Sequence, residues 1–340
     1  MNNELQTFTA EMLPVLEQEM RSILRADRAN DAFYGMMHYH MGWVNAELQP
    51  VEVAAGKRIR PLLCLLITQA AGGNWQQAVP AAAAIELLHN FSLIHDDIED
   101  ASPTRRGRET LWKIWGIEQA INSGDAMFAL AHLAMTRLAD RGVDPAIVIH
   151  ALRRFDETCV ALTEGQHADM AFEKRSEVSV ADYLAMITGK TAVLLGLCGE
   201  LGALIAGQPQ NIVEHYAQFG QHLGLAFQVK DDILGIWGDE SRTGKSAATD
   251  IITKKKTLPV LYGLSKSTAL RDLYQQTQTD ETFVRKTIEH LNQLGAREYA
   301  TDIAISYSNT ALEHLHAAQP AGLAAQALHQ LAEMLLKRDY

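Results

Sequence analysis

The sequence predicts an all-α fold, and three observations carry that prediction. Strand signals are nearly absent: there is no sustained apolar/polar alternation and no Asn-Gly turn between β-branched runs. Long Ala- and Leu-rich stretches recur instead, each apolar for several helical turns. Prolines are sparse, nine in 340 residues, and Pro50, Pro80, Pro103, Pro145, Pro209 and Pro259 fall at breaks between those stretches.

The stretches can be taken in order. Residues 81–100, "AAAAIELLHNFSLIHDDIED", stay apolar until the acids begin. Residues 120–140 ("AINSGDAMFALAHLAMTRLAD"), 181–207 ("ADYLAMITGKTAVLLGLCGELGALIAG") and 216–239 ("YAQFGQHLGLAFQVKDDILGIWGD") repeat the theme. A helix apolar on most faces needs neighbours on most faces. One large bundle, a central helix ringed by others, is therefore expected over residues 1–340. No Gly/Ser linker, low-complexity tract or short-period repeat divides it.

Composition narrows the function. The chain is 47% hydrophobic and 21% charged, ordinary for a globular protein. A net charge of −11 argues against binding a nucleic-acid backbone, yet leaves room for a small anion in a local basic pocket. Cys64, Cys159 and Cys198 are far apart in apolar surroundings and form no CxxC pair, which speaks for buried, reduced thiols in a cytoplasmic protein. The N-terminus carries acids and no apolar core, unlike a signal peptide. The most membrane-like run, "KTAVLLGLCGELGALIAG", is interrupted by Glu200 and reads as a buried helix, so no membrane span is expected.

Two acidic clusters close apolar helices. Asp96, Asp97, Glu99 and Asp100 form the first, Asp231 and Asp232 the second. Asp96 and Asp100 are i and i+4, so their Cβ atoms lie about 5–6 Å apart on one helix face. Like charges at that spacing repel, and acids near a helix C-terminus oppose its dipole. A bound divalent cation reverses both effects. For one cluster alone, a solvated helix end is an equal reading; two favour the cation. All-oxygen ligands point to Mg²⁺, Mn²⁺ or Ca²⁺ rather than zinc. The spacing fails a calcium loop and suits Mg²⁺, which takes one or two carboxylates and completes its shell with water and phosphate.

Basic residues come in short sets: Lys57, Arg58 and Arg60; Arg105, Arg106 and Arg108; Lys190; Lys245; Lys254, Lys255 and Lys256. Arginine offers phosphate a planar fork and lysine a point charge. Lys57 and Arg60 lead into the apolar run "PLLCLLI", where a cation needs a reason to be present. The lysine triplet reads better as surface solubility. "GKT" at Gly189 and "GKS" at Gly244 are not P-loops, because Leu184 and Asp239 stand where the motif needs glycine.

The ordered set "GKRIRP", "ELLHNFSLIHDDIEDASPTRRG", "EGQHAD", "GKTA", "FQVKDDILGIWGD" and "TGK…TDIITKKKTLP" resembles the trans-isoprenyl diphosphate synthases, over about residues 50 to 265. That resemblance implies an all-α, isoprenoid synthase-type bundle around a deep central cavity, a homodimer, and two Asp-rich motifs facing each other across the cavity mouth. It implies head-to-tail condensation of isopentenyl diphosphate with an allylic diphosphate (dimethylallyl, geranyl or farnesyl), with about three Mg²⁺ ions per site when substrate is bound.

The resemblance also implies roles by position. Asp96, Asp100 and Asp231 match the family's magnesium ligands, supported by Asp97 and Asp232, with Gln166 and Asp169 near the metals. Arg105, Lys190, Gln228, Lys245 and Lys255 match residues on the allylic diphosphate. Lys57, Arg60, His89 and Arg106 match the isopentenyl diphosphate site; without its place in "ELLHN", His89 reads as a satisfied core histidine. Thr191 and Phe227 match residues near the carbocation. Two positions depart from the pattern. Ala55 replaces a glycine before "GKR". Gly235 replaces the last acid of a second DDxxD, which leaves the role of Asp239 open. The C-terminal "KRDY" offers basic residues to close the site, but reads better as a solvated tail.

The helix preceding Asp96 is expected to line the cavity, at about 1.5 Å of depth per residue. Phe91, Ser92 and Leu88 are the chain-length candidates. Phe91 lies five residues before Asp96, about 7.5 Å below it by the same rise. An aromatic there beside the small Ser92 resembles the geranylgeranyl (C20) pattern, with farnesyl (C15) or a longer product as alternatives. A terpene cyclase needs no isopentenyl diphosphate site, so Lys57, Arg60 and Arg106 count against it. A non-catalytic synthase subunit is expected to lose Asp-rich residues, and here the first cluster is complete. A generic acidic helical interaction protein leaves the cations beside buried helices unexplained.

Overall fold

The protein, described by a computed structural model over residues 3–28, 31–51, 53, 56–175, 177–238, 249–276 and 279–336, is built of α-helices. Its Cα packing separates two units. The first comprises Met1–Asp156, Cys198–Val213 and Pro320–Leu328; the second comprises Glu157–Leu197, Glu214–Gln319 and His329–Tyr340.

The first unit holds α1 (Glu4–Ile23), α2 (Ala32–His40), α3 (Ile59–Ala70), α4 (Val79–Glu99), α5 (Leu111–Trp115) and α6 (Ile117–Thr136). Helix α4 packs on α1, α3 and α6. Pro80 sits in its first turn, where a missing N–H costs nothing. Ala81, Ala82, Ala83 and Ala84 are fully buried, as are Ile85, Leu87 and Leu88. Four small residues in a row let neighbouring helices approach from every side. The helix stops at Asp100, and Ala101 turns left-handed with φ of 49°.

Sequence patterning gives no hairpin, yet one follows α4. Strand β1 (Thr104–Arg105) pairs antiparallel with β2 (Arg108–Glu109), Arg105 opposite Arg108. Two-residue strands are too short to alternate, and the turn uses Arg106-Gly107 in place of Asn-Gly. Both turn residues have positive φ, 52° and 75°, as a type I′ turn requires. For Arg106 the left-handed conformation costs about 1 kcal/mol, a strain that marks a position held for its side chain.

The remaining helices are α7 (Pro145–Lys174), α8 (Val180–Ile187), α9 (Val193–Ile205), α10 (Gln210–Trp237), α11 (Thr249–Ile252), α12 (Leu258–Lys266), α13 (Thr268–Gln275), α14 (Glu281–Gln293), α15 (Ala296–Ala317) and α16 (Gly322–Leu336). In the second unit Tyr183, Met186, Leu225, Val229 and Leu258 join one core cluster, and Ile236, Ile251, Val260 and Phe283 another. A capping box, Ser179 with Asp182, starts α8, and one π-helical turn, Thr188–Ala192, follows it.

Two of the three consecutive lysines are not surface decoration. Lys254 donates to the carbonyls of Tyr274 (3.1 Å) and Gln276 at the end of α13. Lys256 donates to the carbonyls of Phe172 (2.5 Å) and Arg175 at the end of α7. Each ammonium satisfies carbonyls that a helix C-terminus leaves open, with the favourable sign for the dipole. Cys64, Cys159 and Cys198 are free and buried, and burial pushes the Cys64 thiol up to about 12. The run Val180–Ile205 is long and apolar enough to cross a membrane, but 61% of its most apolar window is buried inside the protein, as in a core helix.

Candidate functional site

The first acidic helix end is organised by its own sequence. Asp96 and Asp100 share a face of α4, Asp96 half-buried and Asp100 exposed. Asp97 points inward and is 3% exposed. Eight residues on, the hairpin returns Arg105, whose Nε donates to Asp97 Oδ1 at 2.9 Å and Oδ2 at 3.0 Å. Burial pushes the Asp97 carboxyl up, and the Arg105 charge opposes it. Asp97 is thus turned away from solvent and held by the hairpin's arginine. Arg108, third of the arginines, is used structurally: it donates to the carbonyls of Tyr39 (2.9 Å) and Val44 (2.7 Å) and lies 3.8 Å over the Tyr39 ring.

A cationic cluster adjoins it in the same unit. Arg60 Nη1 lies 3.2 Å from His89 Nε2. His89 is deeply buried, and its pKa falls well below the usual histidine range through burial, then through the charges of Arg60, Arg106 and Arg105. The imidazole is therefore neutral at pH 7. Arg106 feels Arg58, Arg105 and Arg60, and burial together with these like charges lowers its own pKa. Arg58 is buried and neutralised by Glu86, 2.6 Å away, to which Asn90 Nδ2 also donates at 3.0 Å. Three of the four residues expected at one anion site, Arg60, His89 and Arg106, are thus together; Lys57 is exposed just ahead of α3. The sequence reading missed His40, which burial and the charges of Arg105, Arg106 and Arg58 drop to about 3, and the Glu86–Asn90 pair. Two polar residues four apart in the largely apolar α4, Glu86 and Asn90, were the available signal.

The second acidic end lies on α10. Asp231 is half-buried, and Asp232 is 2% exposed. Asp232 accepts from the Tyr183 hydroxyl, from Leu258 N–H at 3.1 Å and from Gln228 Nε2 at 3.2 Å. Burial pushes its carboxyl up to about 6; those donors and the Lys255 charge pull the other way. Thr191 donates to Gln228 Oε1 at 3.1 Å, so Thr191, Gln228, Asp232 and Tyr183 form one chain of hydrogen bonds. Lys190, on the π-helical turn, donates to Asp169 of α7 at 2.5 Å. Gly165 makes that pairing possible: a Cβ there would meet the Gly189 carbonyl carbon at 2.6 Å. Gln166 and Phe227 are half-buried, and Lys255 is exposed. Lys245 and Asp239 lie outside the described residues, as do Ala55 and the C-terminal "KRDY".

Among the described residues, no three Asp, Glu, His or Cys side chains already converge as a closed metal site. The donor set is carboxylate oxygen, few in number, with charged side chains nearby. That chemistry fits a hard cation which keeps water and takes phosphate oxygens, as Mg²⁺ does.

Of the chain-length candidates, Leu88 is fully buried in α4. Phe91 packs its ring 4.8 Å from both His95 and Phe128. Ser92 returns its hydroxyl to the His89 carbonyl at 2.8 Å.

Solved structures with this fold define the class. A polyprenyl synthetase from Streptomyces coelicolor A3(2) superposes with a TM-score of 0.87 at 32% identity, covering 98% of each chain. A geranylgeranyl pyrophosphate synthetase from Pyrococcus horikoshii Ot3 gives 0.88 at 30% identity, over 99% of this chain and 98% of its own. The fold is the all-α isoprenoid synthase fold.

In sequence, a geranylgeranyl diphosphate synthase of Mycobacterium tuberculosis is 36% identical over 336 residues, 98% of this chain and 93% of that one. A (2E,6E)-farnesyl diphosphate synthase of Mycobacterium bovis is 42% identical over 260 residues, 75% of this chain and 71% of that one. The polyprenyl synthetase family model matches residues 42–291. The chain belongs to the polyprenyl synthetase family.

Proposed function

We propose that the protein is a trans-prenyltransferase that condenses isopentenyl diphosphate with allylic diphosphates to a short all-trans prenyl diphosphate, geranylgeranyl diphosphate (C20). The observation that carries this reading is the buried cationic cluster of Arg60, His89 and Arg106 beside the first acidic helix end. An enzyme that only ionises one prenyl diphosphate has no use for a second anion site.

In this reading Asp96, Asp100, Asp231 and Asp169 would hold the Mg²⁺ that accompanies the allylic diphosphate. Mg²⁺, when bound, neutralises diphosphate oxygens and so favours loss of that group. Arg105, Lys190, Gln228, Lys245 and Lys255 hold the same group in place. The allylic C1–O bond breaks, and the electron pair leaves with diphosphate. Lys57, Arg60, His89 and Arg106 orient isopentenyl diphosphate so that its double bond forms the new C–C bond to C1. The resulting tertiary cation loses a proton to the departing diphosphate. Thr191 and Phe227 border the cation. Most of this catalysis is electrostatic positioning in a site of low dielectric.

The C20 product is supported by Phe91 next to the small Ser92, with the Phe128 ring packed against Phe91. A homodimer is supported by exposed apolar residues on one unit: Ile117 (48%), Ile121 (41%) and Leu133 (58%) on α6, and Ile149 (63%) on α7.

The test is incubation with Mg²⁺, labelled isopentenyl diphosphate and each allylic primer in turn, reading alcohol length after dephosphorylation. A C20 product is expected, and Phe91→Ala should lengthen it. A C15 product keeps the chemistry and removes Phe91 as the floor. Diphosphate release without isopentenyl incorporation moves the protein to the cyclases.

A further inference from the structure

Gly235 stands one helical turn beyond Asp231, at the place that Asp100 fills relative to Asp96. That place is not empty. A Cβ on Gly235 would fall 2.7 Å from Cγ of Asp250 and closer still to its Oδ2. Cβ atoms at i and i+4 are about 5–6 Å apart, so the Asp250 carboxylate comes within about 8 Å of the Asp231 Cβ. Asp250 reaches this position from α11. Its main-chain carbonyl accepts from Lys255 N–H at 2.8 Å, which folds the following turn back over it. Its charge, with those of Asp232 and Asp169, adds to the burial that raises the Tyr183 phenol, so it looks into the same polar region.

We propose that Asp250 supplies, from a different helix, the carboxylate that position 235 lacks, so that the second acidic cluster meets a diphosphate-bound divalent cation through Asp231 and Asp250. The inference rests on the function proposed above and extends it to a residue outside the second Asp-rich motif. It also explains the glycine. Any side chain at position 235 displaces the Asp250 carboxylate, whereas on an ordinary helix face alanine is the better residue.

The test uses the full-length protein and two readouts. One is the rise in melting temperature on adding Mg²⁺ with inorganic pyrophosphate. The other is the Mg²⁺ concentration giving half-maximal prenyl transfer. Asp250→Asn and Gly235→Ala should each lose most of the thermal rise and raise the half-saturating Mg²⁺ by roughly tenfold. Gly235→Ala keeps Asp250 and improves helix propensity, so it decides the matter if Asp250→Asn folds poorly. The exchange Gly235→Asp with Asp250→Ala should return both readouts to within a factor of about three of wild type. An exchange variant as weak as Asp250→Asn overturns the inference. So does wild-type behaviour of Asp250→Asn and Gly235→Ala while Asp231→Asn loses both readouts; that result leaves the proposed function standing. If Asp231→Asn is unaffected as well, the role given to the second cluster falls and this inference with it.

Discussion

Asp97 and Asp232 hold the same place in their motifs, the second of an Asp-Asp pair closing an apolar helix, and both are buried. Different chemistry holds them. Asp97 meets a charge, with both carboxylate oxygens within 3.0 Å of Arg105 Nε. Asp232 is bonded by neutral donors: a phenol, a main-chain N–H and an amide. Burial raises both carboxyls, and at Asp97 the arginine is the main opposition. At Asp232 the neutral donors and a more distant lysine leave the carboxyl at about 6. The comparison teaches that one sequence pattern can be stabilised from within or from without. The support of Asp97 lies eight residues away, whereas Tyr183 and Leu258 lie 49 and 26 residues from Asp232.

The largest expected effect tests whether the two ends share one task. Asp96→Ala and Asp231→Ala should each lower kcat/KM by about 10³-fold, on the order of 4 kcal/mol of transition-state stabilisation. Steady-state kinetics at saturating Mg²⁺ checks this. If only one substitution has that effect, the two ends are not equivalent partners in the chemistry.

Stability should separate them in the opposite sense. Asp232→Ala strands the Tyr183 hydroxyl and the Leu258 N–H, each at a cost of about 1–3 kcal/mol, so a loss of about 3 kcal/mol is expected in urea unfolding. Asp97→Ala releases Arg105, whose side chain is 31% exposed and can turn to water, so about half that loss is expected. Equal losses would erase the distinction between neutral and charged support.

The pH dependence sharpens it further. An aspartate raised from 3.8 to about 6 binds its proton more tightly in the folded state. Between those two values the folded state holds a proton that the unfolded state has lost, so stability falls as pH rises through that window. The contribution is fully present below pH 3.8 and lost above about 6, up to about 3 kcal/mol in all. In metal-free buffer, wild type should gain on Asp232→Asn as pH drops from about 7 to 4. A flat difference places the Asp232 titration elsewhere.

How far each end could be read in advance follows from the same contrast. "DDIEDASPTRRG" contains the acids and the arginine in one stretch, so α4 and its acidic end were legible; the pairing of Arg105 with Asp97 was not, because an arginine after an acidic motif reads as a cation for phosphate. The all-α fold was legible because apolar helices are long and breaks are few. Tyr183 was not legible: a tyrosine in an apolar helix signals core packing, and only tertiary structure turns its hydroxyl to Asp232. The hairpin was hidden by its length, and the lysine triplet by the habit of placing lysines in solvent. The carbonyls of Phe172, Arg175, Tyr274 and Gln276 that bind Lys254 and Lys256 belong to helix ends remote in sequence. His40 stayed hidden because nothing in "MMHYH" indicates the arginines packed around it.

The smallest expected effect asks whether Asp97 needs the arginine's shape or only its charge. Arg105→Lys keeps a cation beside the carboxylate and removes the planar group whose Nε reaches both oxygens. Because Arg105 is partly exposed, water screens the pair, and the loss should be about 0.5–1 kcal/mol, a fall in melting temperature of about 1–2 °C in substrate-free protein. A loss as large as that of Asp97→Ala would mean that geometry, not charge, is what Asp97 takes from its partner. The first helix end would then resemble the second, where oriented neutral donors hold the buried acid.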